Sequence, residues 1–212
     1  MDCLCLGLLC ADLVCHPVPA LPNQGQLMET ERMELSLGGC AANTAFDLAK
    51  LGVNTGISGC VGNDVLADFI VQTLNAAGVD TRGVVRSNEV ATASTAVINV
   101  TDQDRRFISY AGANTAMTAA LIPDELLESV SVLYIGGFLM LDGLESQAML
   151  QRLAQARKAG TRILLDVVQV DDADAMERLQ RVLPYTDVFL PNNDEAALLT
   201  GFSDPWEQAE SF

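Results

Sequence analysis

The chain has 212 residues, 50% of them hydrophobic and 5% aromatic, enough for one sizeable and mostly aliphatic core. Twelve basic against 28 acidic residues give a formal net charge of −16, which argues against nucleic acid or an anionic membrane as partner, since both require basic patches. No apolar run approaches the roughly 20 residues needed to cross a bilayer, and the N-terminus, with Asp2 and Asp12, lacks the basic start of a signal peptide. Cys3, Cys5, Cys10, Cys15, Cys40 and Cys60 form no C-x-x-C pair, and His16 is the sole histidine, so they read as buried free thiols of a cytoplasmic protein rather than a zinc site or a disulfide framework.

In chain order, residues 3 to 9 read as a buried first strand, with Asp12 just past its end. In parallel α/β sheets that edge is where ligands bind, so its carboxylate is a turn cap or a ligand group. Residues 13 to 36, with Pro17, Pro19 and Pro22, read as extended pieces and loop. Leu37 to Gly52 opens with Gly38 and Gly39, then places Ala42, Ala45, Phe46 and Ala49 at helical spacing before a glycine stop. The glycines allow a tight strand-to-helix turn, or the close approach of a ligand to backbone N–H groups at a helix start. Asn43, in the first turn, offers both a donor and an acceptor.

A strand at Ile57–Val61 leads to a helix from about Asp64 to Ala77. Residues 92 to 100 and 106 to 110 are rich in β-formers and flank the polar turn TDQDR, a hairpin signal. Strands at Val132–Ile135, Ile163–Val168 and Val188–Leu190 are followed by helices near Leu144–Ala159, near Ala173–Leu183, and up to Gly201. This alternation predicts an α/β fold with a mostly parallel sheet flanked by helices. Asn192 and Glu195, just after the last strand, have the spacing of a capping box.

Five stretches together resemble the ribokinase-like (PfkB) carbohydrate kinases: LGGCAANTAFDLAKLG (37–52), GCVGNDVLADFIVQTLNAAGVDT (59–81), RRFISYAGAN (105–114), LYIGG (133–137) and TDVFLPNNDEAALLTG (186–201). They stand in the family's order and cover nearly the whole chain. The resemblance implies one ribokinase-like α/β domain over residues 1–212, with a small β lid from segments about 13–36 and 92–110 hinged at Gly38 and Gly39. It implies transfer of the ATP γ-phosphoryl group to a sugar hydroxyl. Asp12, Gly38, Gly39 and Asn43 would bind the sugar. Asn192 and Glu195 would help hold the nucleotide phosphates, with Glu195 facing Mg²⁺ through water. A homodimer through the lid is a further expectation.

The chain departs from the family's pattern in places. Asp166 is followed by Val167, Val168 and Gln169 where the family often reads D-x-N-x-R. Cys40 stands where ribokinase proper has a lysine, and Gly136, Gly137 and Phe138 where it has a glutamate after the strand. The D-T-x-G-A-G-D signature, whose last Asp is the family's catalytic base, is not among these residues. No catalytic base is therefore assigned, and the expectation is a fragment or a product cut short, without measurable turnover of its own. Alternatives within reach are a non-catalytic sugar-binding or interaction remnant and a nucleoside kinase of the same fold. A Rossmann oxidoreductase is disfavoured because GLLCAD follows the first strand in place of G-x-G-x-x-G.

Overall fold

The computed structural model describes residues 1–128, 130–168 and 173–212. Gln169 lies outside the described residues.

Among the described residues, six strands form the main sheet: β1 (Cys3–Gly7), β4 (Thr55–Gly62), β5 (Asp80–Ser87), β8 (Val132–Gly136), β9 (Arg162–Leu165) and β10 (Val188–Phe189). Their order is β10-β9-β8-β1-β4-β5, and every pairing is parallel. β1 is central and buried throughout, which is why it reads as a continuous apolar run. Its alternate residues face opposite layers. Cys3 and Cys5 pack with Ala41, Ala42 and Ala45 of α1 (Cys40–Lys50) and with Ala67, Ile70 and Leu74 of α2 (Val65–Ala76). Leu4 and Leu6 face the other side, with Met149, Leu150 and Leu153 of α4 (Gln147–Lys158), following the short α3 (Asp124–Glu128), and with Ala175 and Leu179 of α5 (Ala175–Val182). The expected parallel sheet with helices on both faces is what the chain forms. β5 and α3 had no counterpart in the sequence reading.

A second sheet of four strands has the order β3-β2-β6-β7, from β2 (Cys10–Val18), β3 (Met33–Gly38), β6 (Ser94–Val100) and β7 (Arg106–Tyr110). β6 and β7 pair antiparallel, as the hairpin signal around TDQDR predicts. The expectation of a strand over residues 3 to 9, with Asp12 just past its end, needs correction. The first strand ends at Gly7, and Asp12 lies inside β2 rather than at the open end of β1. The break has a backbone cause. Gly7 takes φ +146°, and a β-carbon there would lie 2.1 Å from the Gly136 carbonyl oxygen. The chain therefore leaves the parallel sheet at this point and enters the second one three residues later.

The C-terminal stretch carries α6 (Asn193–Thr200), capped at Gly201 in the left-handed region, and α7 (Pro205–Glu210) with Asp204 at its N-cap. Phe189 on the edge strand meets Phe212 edge-on, with ring centroids 4.8 Å apart.

Candidate functional site

The site is built where the two sheets meet. Between β1 and β2, Leu8 donates its N–H to the Gly136 carbonyl (3.2 Å) and its own carbonyl accepts from the Ala42 N–H (3.3 Å). Gly39 precedes α1 with φ +91°, and a β-carbon on it would come within 2.4 Å of the Leu8 carbonyl oxygen. Only glycine lets the start of α1 approach the crossover this closely. Asn114, which lines the same cavity as Gly39 and Asn43, also clamps the crossover. Its Oδ1 accepts from the Leu9 N–H (3.1 Å) and its Nδ2 donates to the Leu9 carbonyl (3.0 Å), both bonds buried.

Asp12 sits opposite Ser36 on β3 and Thr95 on β6, and Thr95 sits opposite Ser109 on β7. One row of four polar side chains thus crosses the second sheet on a single face. Thr95 Oγ1 is 3.0 Å from Ser109 Oγ and 3.3 Å from Cys10 Sγ. Burial pushes the Asp12 carboxyl above the ordinary carboxylate range, although contacts from Cys10 and Thr95 work in the opposite direction. Gly38 does not line the cavity beneath this row. It backs Asp12 instead, since a β-carbon at 38 would meet all three carboxyl atoms at 2.2–2.5 Å.

Asp12, Gly39 and Asn43 line one cavity of about 240 Å³, together with Cys10, Cys40, Thr95, Phe107, Ser109 and others. Asn43 is exposed into it from the first turn of α1, its N–H closing that turn on the Gly39 carbonyl (2.9 Å). Three larger hollows, about 530 Å³ beside β10, about 440 Å³ between α3 and α4 and about 290 Å³ on the apolar face of the second sheet, bring together fewer groups able to orient a polyol.

Behind Cys40 lies a second polar cluster. Tyr134 donates its hydroxyl to Asp166 Oδ2 (3.0 Å), and the Asp166 carboxyl faces the Cys40 thiol. Burial raises Asp166 above its usual range and pushes Cys40 up to about 12, with the Asp166 charge adding to the latter. Glu195 adds a smaller Coulombic push on Cys40.

Asn192 and Glu195 form a full capping box at the start of α6. Asn192 Oδ1 accepts from the N–H groups of Asp194 and Glu195, both at 2.9 Å, and Glu195 Oε2 accepts from the Asn192 N–H at 2.8 Å. Glu195 is buried, an unusual place for a carboxylate. Neither residue lines the cavity that holds Asp12. Among the described residues, no group of three or more His, Cys, Asp or Glu side chains could hold a metal ion. No described helix is long and apolar enough to cross a membrane, and all six cysteines are free.

Several residues at the site escaped the sequence reading. Thr95 and Ser109 look like ordinary strand residues until the register aligns them with Asp12. Asp64 caps α2 through the Ala67 N–H (2.9 Å) and also binds Thr92 N–H (2.8 Å) and Oγ1 (2.7 Å), tying the start of α2 to the approach of β6. Arg178 on α5 donates to the Leu139 carbonyl (2.9 Å), to Asp142 (2.8 Å) and to Glu145 Oε1 (2.6 Å), bracing the segment that contributes Met140 to the cavity. Only alternation along each strand could have hinted at the first pair. The other two contacts are long-range.

The comparisons with known proteins agree with this architecture. The ribokinase of Staphylococcus aureus (strain COL) is 25% identical over 188 residues, covering 87% of this chain and 59% of the relative. The 2-dehydro-3-deoxygluconokinase of Bacillus subtilis (strain 168) is 27% identical over 190 residues, covering 85% and 59%. The chain therefore spans a little over half the length of these curated relatives. An Arabidopsis thaliana ribokinase solved with ribose and ATP superposes with a TM-score of 0.81 at 24% identity, over 99% of this chain and 66% of that one. The pfkB family carbohydrate kinases match residues 1–211. With that match running almost from end to end, the chain belongs to the pfkB family of carbohydrate kinases.

Proposed function

We propose that the protein acts in ATP-dependent phosphorylation of a sugar hydroxyl, and that residues 1–212 form the sugar-binding side of the site. The observation that carries this reading is the polar row Ser36–Asp12–Thr95–Ser109 lying over the N-terminus of α1. A polyol needs several acceptors and donors held at fixed spacing, and a carboxylate is the strongest acceptor available. Asp12 accepts from sugar hydroxyls, Asn43 offers both donor and acceptor, and Gly39 lets the ring approach the backbone. Sugar hydroxyls replace the water that the Asp12 charge lacks, so binding relieves the burial that holds its carboxyl high.

ATP supplies the phosphoryl group in this reading, and Mg²⁺ travels on its phosphates. Asn192 and Glu195 are the proposed contacts on that side. Glu195 would face the ion through water, as suits Mg²⁺, which keeps several waters when it binds phosphates. The Coulombic link between Glu195 and Cys40 supports a phosphate side that adjoins the sugar cavity. Phosphoryl transfer depends chiefly on positioning and charge stabilisation, which this arrangement is suited to begin.

The second sheet is the proposed lid, with Gly38 and Gly39 as its hinge. Its outer face carries an apolar row, Leu35–Leu13–Ala96–Ile108, with Leu13, Leu35 and Ile108 exposed. An apolar stripe on an otherwise acidic chain supports pairing of two copies through this face. The free thiols suit a reducing, cytoplasmic compartment. Hydrogen exchange tests the lid. Residues 94–100 and 106–110 are expected to exchange more slowly with saturating sugar, as closure orders them. Exchange unchanged by any sugar would contradict it.

A further inference from the structure

We propose that the cavity selects an uncharged monosaccharide and rejects sugar acids and nucleosides. The inference rests on the sugar-site reading above and concerns which sugar chemistry the cavity admits. Among the described residues that line it, Asp12 is the only one charged at neutral pH, and none is a lysine, arginine or histidine. Cys10 and Cys40 share the lining, and burial pushes both thiols up to about 12, so they stay neutral. Asp166 and Glu195 stand behind Cys40 and add only negative potential.

A carboxylate entering this space would face Asp12 across a few ångströms with no cationic side chain among the described lining residues, and the N-terminus of α1 supplies only a partial positive charge. Two like charges about 4 Å apart repel by about 1 kcal/mol in water and about 4 kcal/mol at an effective dielectric near 20. Arg105 is a candidate cation, since it reaches over the ring of the lining residue Phe107 at 5.5 Å from its centroid. Its side chain is two-thirds exposed and has Asp104 at 3.9 Å, so its charge is screened and already opposed. A neutral ring meets no such penalty and satisfies the row of hydroxyls and the carboxylate. Size points the same way. At about 240 Å³ the cavity is smaller than the roughly 300–1,000 Å³ typical for drug-sized ligands. That favours one ring over a ring with a base attached.

The test is equilibrium binding to the 212-residue chain by calorimetry, using ribose, fructose, 2-dehydro-3-deoxygluconate and adenosine. A neutral sugar is expected to bind about 5- to 1,000-fold more tightly than the acid, the span set by the repulsion above. Adenosine is expected to bind more weakly than the best sugar. Ser109→Arg, at an exposed position on the cavity rim, should narrow the gap between acid and neutral sugar. Acid binding equal to or tighter than that of the neutral sugars, or preference for adenosine, would overturn the proposal while leaving an Asp12-dependent site in place. No binding of any of the four ligands would overturn the sugar-site reading itself, and the proposal with it.

Discussion

The carboxyl group of Asp12 occupies the space that a side chain on Gly38 would need: a β-carbon at 38 would lie 2.2 Å from Asp12 Oδ2. The two residues are thus one device, in which the absence of a side chain on β3 seats a charge on β2. Gly38→Ala is expected to turn the Asp12 side chain away and weaken sugar binding by about 1.5–3 kcal/mol, the worth of a hydrogen bond to a charged group. The fold should tolerate it, because what must move is the end of a side chain. Gly39→Ala meets the Leu8 backbone at φ +91° instead, so it should lower stability by about 1–3 kcal/mol. Paired calorimetry and denaturant titration of the two variants would separate the effects. Equal losses of stability would contradict the distinction.

Asp64 should give the fold part of its acid sensitivity. Partial burial favours its neutral form, but hydrogen bonds from Thr92 N–H, Thr92 Oγ1 and Ala67 N–H outweigh this and lower its pKa. A carboxyl lowered on folding contributes stability above its unfolded value near 3.9, and loses it as pH falls through the lower folded value. Asp64→Ala should cost at least the cap's share, about 0.5–2 kcal/mol at pH 7, and flatten the acid limb of the stability curve. An unchanged acid limb would contradict the assignment.

Asn114 holds both polar backbone groups of Leu9, in a place water does not reach. Asn114→Ala leaves an N–H and a carbonyl buried without partners, at about 1–3 kcal/mol each. The expected outcome is lower stability together with weaker sugar binding, because the crossover that carries Asp12 loses its clamp. Full stability in urea unfolding would show that the crossover needs no clamp.

Arg178 braces the segment after β8 through a carbonyl and two carboxylates while itself mostly buried. Arg178→Ala should cost about 1.5–3 kcal/mol and quicken hydrogen exchange around Met140. Lysine at this position should rescue little, because it cannot reproduce the planar fork. Equal stability of the lysine variant and the parent would show that charge alone suffices there.

Much of this architecture is legible in the sequence where local physics decides it. The buried runs of β1 and β8, and the helix stops at Gly52, Gly78 and Gly160, follow from periodicity and left-handed glycines. β5 was hidden because DTRGVVRS mixes charge with a central glycine. That glycine is demanded by a neighbour rather than by the strand itself, as a β-carbon at 83 would lie 2.6 Å from the Ile57 carbonyl oxygen. β2 was hidden by Pro17 near its end and by the short crossover that separates it from β1. Asn43 and the glycine pair stand out in the motif of residues 37–52, and Asp12 stands out after the first apolar run, but the row formed with Thr95 and Ser109 depends on register between strands some eighty residues apart. No local signal carries that information.

The most direct measurement is calorimetric titration of a neutral sugar into the chain and its Asp12→Asn variant at pH 7. Burial raises the Asp12 carboxyl, so its charged form costs the folded state stability as pH rises through the raised folded value. At pH 7 the variant should therefore be at least as stable as the parent while binding the sugar more weakly by about 1.5–3 kcal/mol. Lowering the pH toward the carboxylate range should weaken binding in the parent and leave the variant unaffected. Sugar affinity that is the same in both proteins, with Asp12→Asn normally folded, would contradict the account at its centre.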